Sequence, residues 1–119
     1  MITSFPDRLA VCSWSLQAEN PLQLIQHLRA IGLPRVQLAL DPLRENPAGW
    51  GATGDLFRAA DIRIVSGMFG AVGEDYSTLD SIRRTGGLVP DHTWDENWEN
   101  AQANANLAEF TGLLEHNGA

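Results

Sequence analysis

The residues best suited to chemistry follow an apolar run in the stretch SGMFGAVGEDYSTLDSIRRTGG, at positions 66–87. The run breaks into glycines and then into Glu74, Asp75 and Tyr76. Two carboxylates and a phenol can donate and accept hydrogen bonds, and the glycines let the backbone approach a ligand closely. This pattern indicates the rim of a pocket. The alternative is an ordinary surface loop whose acids favour the positive end of a helical turn that starts near Ser77.

Strand and helix patterns alternate around this loop. Apolar runs typical of strands occupy residues 8–16, 35–40 and 61–69. Helical patterns occupy residues 21–31, 55–60 and 77–84, and a long helix follows Thr93. Such alternation predicts an α/β fold of parallel strands joined by right-handed crossovers, with helices covering the sheet.

The first and last helices carry the clearest packing patterns. Asn20 caps the first helix, Pro21 takes its first position, and Gly32 ends it. Its expected buried stripe is Leu22, Ile25, Leu28 and Ile31. The last helix is expected to pack through Trp94, Trp98, Ala101, Ala105 and Ala108, and to stop at Gly112.

Composition and charge narrow the possible functions. The 119 residues suit one domain or a piece of a larger one, and a net charge of −7 opposes binding to nucleic acid. The single cysteine, Cys12, favours a reducing compartment. No apolar run approaches the ~20 residues that span a bilayer, and no targeting segment is recognisable. We therefore expect a soluble cytoplasmic protein with no membrane partner.

Three segments carry a resemblance to a known superfamily: CSWSL after the first strand, IGLPRVQLALDPL through the second, and IVSGMFGAVGEDYSTLDSIRRTGGLVPDHTW after the third. Together they resemble the N-terminal part of the xylose isomerase-like barrels, the sugar phosphate isomerase/epimerase superfamily. The resemblance implies a (β/α)8 TIM barrel, which needs about 250 residues. Residues 1–119 would then form an N-terminal fragment, three consecutive βα units of an incomplete barrel with parallel strands. Its open edges favour self-association.

The resemblance also implies a reaction. In this superfamily a divalent metal (magnesium, manganese or zinc) polarises sugar oxygens while acid and base groups move a proton between neighbouring carbons. The expected ligands belong to later strands, and His27, His92 and His116 do not rebuild the site. We therefore expect a small carbohydrate or sugar phosphate as the substrate of the complete parent. For the fragment alone we expect no bound metal, no catalytic residue and no activity.

In barrels of this type the carboxyl ends of the strands face the active site. That rule selects Trp14 and Ser15 after the first strand, and Ser66, Met68 and Phe69 at the end of the third. Trp14, Met68 and Phe69 are equally suited to a core. Gln37 stands where many relatives carry a glutamate, so it would bind a hydroxyl but not act as a base. Glu74 and Asp75 would bind sugar hydroxyls, and Tyr76 would stack on the ring.

Two other classes of function stay open. One is a freestanding small α/β binding or interaction module without catalysis, in which an exposed sheet edge recruits a partner. The other is an endonuclease, because the superfamily includes such members, but the acidic charge disfavours it.

Overall fold

A computed structural model describes residues 8–110 of the chain, excluding the side chain of Phe110. The expected helix stop at Gly112 and the histidine His116 lie outside these residues. Two short 3-10 turns, Ser13–Leu16 and Asp91–Thr93, supplement the regular elements. In chain order these are β1 Val11–Cys12, α1 Pro21–Ile31, β2 Arg35–Ala39, α2 Asp41–Glu45, α3 Pro47–Trp50, α4 Thr53–Ala59, β3 Arg63–Met68, α5 Leu79–Thr85 and α6 Trp94–Phe110.

The three strands form one parallel sheet in the order β1-β2-β3. The predicted α/β fold with parallel strands is therefore confirmed. Each strand lies beside the one that precedes it in the chain, so the sheet grows in one direction. Within residues 8–110, β1 and β3 each pair only with β2, which leaves an outer edge on both sides of the sheet.

The first strand is much shorter than the predicted 8–16. It covers only Val11–Cys12, and the chain then turns through Ser13–Leu16 and leaves the turn at Gln17 with a left-handed φ of 49°. The Ser13 hydroxyl explains the early end of the strand, because it accepts a 2.8 Å hydrogen bond from the backbone N–H of Ala39 in β2. A side chain thus continues the contact to β2 where the β1 ladder stops.

Two short helices for which the sequence analysis gave no helical pattern follow β2. Both α2 and α3 have a proline in their first turn, Pro42 and Pro47. Proline is tolerated there because the first N–H groups of a helix have no partner within the helix. The prolines therefore begin these helices, and the two buried side chains Leu43 and Trp50 join them to the core.

A bulge in β3 changes which of its residues share a face. Val36 pairs with Ile64, but the next residue, Gln37, pairs with Ser66, so Val65 is surplus. Paired residues of neighbouring strands point to the same side of a sheet, whereas successive residues alternate. The extra residue therefore moves Ser66 away from the face of Ile64 and onto the face of Gln37.

The core lies on the face of the sheet that carries Val36, Leu38 and Ile64. Side chains of α1, α4 and α6 join the same cluster, so these helices cover the same face. They contribute Leu24, Ile25 and Leu28 from α1, Phe57 from α4 and Ala108 from α6. No helix within residues 8–110 combines the length and the apolarity that crossing a membrane requires.

The helix α1 has the predicted ends but a different buried face. Asn20 accepts a 2.8 Å hydrogen bond from the N–H of Gln23, and Gly32 ends the helix with φ +83°. Of the expected stripe, Ile25 and Leu28 are buried, whereas Leu22 and Ile31 are exposed. Residues at a strict three-residue spacing drift about 60° around the helix at each step. Four of them therefore cannot all face one core, and Leu24 and Pro21 are buried instead.

The expected packing face of α6 is also wrong in part. Ala108 is buried, but Trp94 and Trp98 are exposed. The fully buried side chains of this helix are two amides, Asn97 and Asn104. The helix is therefore rotated from the expected orientation, so that much of its apolar face lies outside the core.

Candidate functional site

A polar pair lies on the sheet face opposite the helices. Gln37 of β2 is in register with Ser66 of β3 on one side and with Cys12 of β1 on the other. All three side chains are half-buried. Neighbouring strands are about 4.8 Å apart, so the Gln37 amide and the Ser66 hydroxyl are suited to binding adjacent polar atoms of one ligand.

Two sulfur atoms meet beside this pair. The Cys12 thiol of β1 contacts the Met68 sulfur of β3 at 3.2 Å, although β2 lies between the two strands. Ala39, the β2 residue in register with Met68, is 3% exposed. The two sulfur side chains lean toward each other over this small residue, so Met68 belongs to the Gln37–Ser66 face.

Asp41 is a candidate that the sequence reasoning missed. It lies two residues after the end of β2, and its carboxylate accepts a 2.8 Å hydrogen bond from the N–H of Gly70, just after β3. Its other oxygen accepts from the Arg44 guanidinium at 3.1 Å. Asp41 thus ties the carboxyl ends of β2 and β3 together. The available signal was its position, since an acid directly after a buried strand lies at the edge where ligands of α/β proteins bind.

The predicted residues after β1 lie on the 3-10 turn. Both Trp14 and Ser15 are exposed, so Trp14 is not a core residue. Trp14 lines a cleft of about 210 Å³ together with Ala39, Pro42 and Trp50. The turn therefore places Trp14 at the carboxyl end of β2 but leaves Ser15 on the surface.

Phe69 lies apart from the Gln37–Ser66 face. It lines a cleft of about 170 Å³ between β3 and α6, together with Gly67 and Asn104. Gly67 is in register with the core residue Leu38, so this cleft is on the helix side of the sheet. The structure thus separates Phe69 from Ser66 and Met68.

The loop between β3 and α5 that carries Glu74, Asp75 and Tyr76, here called the acidic loop, holds these side chains in place by hydrogen bonds. The Tyr76 hydroxyl donates a 2.6 Å hydrogen bond to the Glu74 carboxylate, which also accepts from the N–H of Gly87 at 3.1 Å. Asp75 accepts from the N–H of Ser77 at 2.9 Å. Three predicted ligand-binding residues therefore already have partners within the loop, although Tyr76 remains 67% exposed.

These bonds shift three pKa values in the loop. The Tyr76 hydroxyl, followed by the N–H of Gly87, lowers the pKa of Glu74 because both stabilise the carboxylate. Hydrogen bonds from Ser77 lower the pKa of Asp75 in the same way. The Glu74 carboxylate raises the pKa of Tyr76, since it binds the protonated phenol. Glu74 and Asp75 are therefore ionised at neutral pH and act as hydrogen-bond acceptors.

The helix after the loop is capped by a residue other than the predicted acids. The Thr78 hydroxyl accepts from the N–H of Ser81, and the Ser81 hydroxyl accepts from the N–H of Thr78, both at 3.0 Å. This reciprocal capping box satisfies two N–H groups at the start of α5. The N–H of Asp75 is bound instead by Thr85 at 2.8 Å, so the loop folds back onto the end of α5.

The loop after β3 is also fixed to α6. The fully buried Asn97 accepts from the N–H of Val72 at 2.7 Å and donates to the carbonyl of the same residue at 3.3 Å. Gly73 follows with φ +85°, and a Cβ there would approach the Thr93 methyl to 2.8 Å. The loop therefore packs closely against the start of α6 and needs glycine at this position.

The described residues do not suit a divalent metal. No three side chains among the His, Cys, Asp and Glu residues of 8–110 cluster in a way that could hold one. The Asp41 carboxylate already binds Gly70 and Arg44. His27 is half-buried in α1, and His92 is exposed before α6. A metal in a longer parent would need ligands from other parts of that protein.

Comparison with known proteins gave no relative. The sequence matches no protein-family model, no curated protein and no solved structure.

Proposed function

We propose that this chain is the N-terminal part of a metal-dependent sugar or sugar-phosphate isomerase/epimerase with a xylose isomerase-like TIM barrel. The proposal combines the resemblance of the three sequence segments with one observation. Three parallel strands follow one another in sequential order, and α1, α4 and α6 all cover the same face. A doubly wound fold shares this arrangement within each half, and it reverses its strand order and changes the covered face only at the switch point between the halves. Sequential order with one covered face is the arrangement of a barrel wall.

The uncovered face supports the proposed substrate class. In a barrel this face would point inward, and it carries the Gln37 amide beside the Ser66 hydroxyl. An amide and a hydroxyl each donate and accept hydrogen bonds, as sugar hydroxyls do. Neither group is a strong acid or base at neutral pH. Their proposed role is therefore to bind and orient the sugar.

The proton transfer must rely on groups outside residues 8–110. A metal, when bound to the complete protein, supplies polarisation of the substrate oxygens. The contribution of Asp41 is structural, because its bond to the N–H of Gly70 holds the two strand ends at a fixed distance. This chain alone is therefore expected to be inactive.

The test is to read the coding DNA beyond codon 119 in every frame and to express the longest product. We expect further strand–helix units with Glu, Asp and His at strand ends, and metal-dependent interconversion of an aldose and a ketose detected by NMR. In that product Gln37→Ala should raise KM roughly fivefold, since one hydrogen bond contributes about 1 kcal/mol. Gln102→Ala, on the exposed side of α6, is the matched control.

Two results would contradict the proposal. One is a reading frame that continues into no further strand–helix unit. The other is metal-dependent sugar turnover by the purified 119-residue chain, because the described residues hold no metal site.

The alternative is an interaction module without catalysis. The exposed Trp94 and Trp98 favour it, because large apolar side chains on a surface often mark a binding site. A monomer that unfolds cooperatively and binds no sugar would support this alternative.

A further inference from the structure

The segment that comprises the end of the acidic loop and α5 is bonded mainly to itself. The Glu74 carboxylate accepts a 3.1 Å hydrogen bond from the N–H of Gly87, 13 residues later. The Thr85 hydroxyl accepts a 2.8 Å hydrogen bond from the N–H of Asp75, 10 residues earlier. These bonds join the beginning of the segment to its end. We call residues 74–87 the flap.

The flap contributes nothing to the hydrophobic core. None of its residues belongs to the core cluster, and α5 has no extended packing against another helix or strand within residues 8–110. Ser81 alone is buried in the flap, and its hydroxyl accepts from the N–H of Thr78, also in the flap. Leu79 is 83% exposed. The flap is therefore a closed loop stabilised by its own hydrogen bonds, a class of loop that is frequently functional.

The chain that leads into the flap is anchored to the rest of the molecule. The N–H of Gly70 is bound by the Asp41 carboxylate at 2.8 Å. Both backbone groups of Val72 are bound by the buried Asn97 amide. Gly73 is the next residue, and the flap begins directly after it. The anchoring bonds therefore stop where the internal bonds of the flap start.

Two glycines with left-handed backbone angles border this segment. Gly73 has φ +85° and Gly87 has φ +78°. The hydrogen bond between Glu74 and Gly87 brings the entry and the exit of the flap together, so the two connections form one narrow neck. Glycine has access to more backbone conformations than any other residue, so rotation at these two positions costs little. The neck is therefore suited to act as a hinge.

The neck lies close to the carboxyl ends of β2 and β3. Gly73 follows Gly70 by three residues, which span at most about 11 Å, and Gly70 is bound to Asp41 after β2. The flap helix α5 has seven residues and is about 10 Å long. Neighbouring strands lie about 4.8 Å apart, so a flap of this length is able to cover the ends of two strands.

We propose that the flap turns as one rigid body on this neck and closes over the carboxyl ends of β2 and β3 when a ligand is bound there. The position of the ligand rests on the proposed function, whereas the movement itself does not. Closure carries Glu74, Asp75 and Tyr76 together, because each is hydrogen-bonded within the flap. The three polar side chains thus reach a ligand as one preformed group, and the closed flap separates that ligand from water.

The first test is NMR relaxation dispersion of the free 119-residue protein, because hinge movements occur in microseconds to milliseconds. We expect the backbone amides of residues 75–86 to share one exchange rate. The anchored amides of Gly70 and Val72 should show no such exchange. A flap without exchange, or with a different rate at each residue, overturns the proposal.

Two substitutions of Gly87 test the hinge. A Cβ at this position would meet nothing within 4 Å, so a substitution acts through the backbone angle and not through a clash. Gly87→Val disfavours the left-handed φ and should raise the population of the alternative flap position roughly tenfold. Gly87→Asn is the matched control, because asparagine tolerates a left-handed φ, and it should leave that population nearly unchanged. Equal effects of the two substitutions overturn the hinge.

A spin label on the flap locates the alternative position. The label is attached to Leu79→Cys in a Cys12→Ser background, because Leu79 is exposed and Cys12 is the single cysteine. Adding Gly87→Val should increase paramagnetic broadening at the carboxyl ends of β2 and β3 but not at their amino ends. Broadening that increases only elsewhere overturns closure over the carboxyl ends.

Two controls establish that the variants are intact. Circular dichroism shows that each is folded, and a Tyr76 pKa that stays above its usual 10.0 shows that the flap keeps its internal bonds. If Gly87→Val loses this raised pKa, Gly87→Ala replaces it, because alanine also disfavours a left-handed φ but is smaller. None of these results depends on sugar turnover, so failure of the flap and failure of the proposed enzyme are distinguishable.

Discussion

The helices α1 and α6 make opposite use of their apolar residues. In α1 the buried side chains include Leu24, Ile25 and Leu28, which pack against the sheet. In α6 the two side chains with the lowest exposure are Asn97 and Asn104, while two tryptophans lie on the surface. The contrast shows that periodicity identifies an apolar face but does not show what covers it. A helix whose amides are buried and whose tryptophans are exposed is suited to further contacts.

The largest expected difference between the two helices is in stability. Leu24→Ala removes a fully buried side chain of α1 and should lower the free energy of unfolding by about 2–5 kcal/mol. Trp98→Ala removes a larger but half-exposed side chain of α6, and in dilute monomer it should cost less than about 1 kcal/mol. Urea unfolding followed by circular dichroism measures both. Equal losses would mean that Trp98 belongs to the core.

A smaller difference should separate the two asparagines within α6. Asn97→Ala removes both bonds to the Val72 backbone and should lower the free energy of unfolding by about 1–3 kcal/mol. Asn104→Leu replaces an unpaired buried amide by an apolar side chain of similar size, and it should stabilise the monomer by about 1 kcal/mol. The same urea titration at low protein concentration tests both. A destabilising Asn104→Leu would show that this amide has a partner in the monomer.

The smallest expected effect of a mutation is in the acidic loop. Its hydrogen bonds are exposed to solvent, whereas the side chains compared in α1 and α6 include fully buried ones. Tyr76 is the only tyrosine, so the ultraviolet absorbance of phenolate reports its ionisation alone. Its pKa should lie above the usual 10.0 and should fall toward that value in Glu74→Ala, which removes the acceptor. Asp80→Ala, which removes an exposed acid from α5, should leave the titration unchanged.

The hydrogen bond between Tyr76 and Glu74 should be lost both at low pH and at high pH. Glu74 has a lowered pKa in the folded loop, so its bonds stabilise the loop above the usual value of 4.5. This stabilisation is lost as the pH falls through the lowered value. Tyr76 has a raised pKa, so its bond persists at neutral pH and is lost as the pH rises through the raised value. A loop that rearranges between pH 5 and 9 would contradict this description.

Much of the fold could be predicted from the sequence, because the alternation of strand and helix patterns and the capping residues depend on residues that are close together in the chain. The parallel order of the strands follows from their alternation with helices. Asn20 and Gly32 define the ends of α1 because one side chain binds a free N–H and the other residue adopts a left-handed φ. The early end of β1 was not predictable, because it depends on a hydrogen bond between Ser13 and Ala39, 26 residues apart.

The candidate site was only partly predictable. Gln37, Ser66 and Met68 lie on one face as a barrel wall would require, but Phe69 lies on the other face. Simple alternation along β3 would place Ser66 on the same face as Ile64. The bulge at Val65 places Ser66 on the opposite face, beside Gln37. Asp41 was missed because its importance depends on the N–H of Gly70, which only the folded structure brings near.

The bulge has a consequence for how this surface could change by mutation. Deleting the surplus Val65 would restore plain alternation and would leave Ser66 opposite Gln37 and Gly67 opposite Leu38. If β3 instead kept Val65 but lost the bulge, Val65 would lie opposite Gln37 and the Ser66 hydroxyl would enter the hydrocarbon interior. The bulge thus lets β3 carry one residue more than the matching part of β2 without losing the polar partner of Gln37.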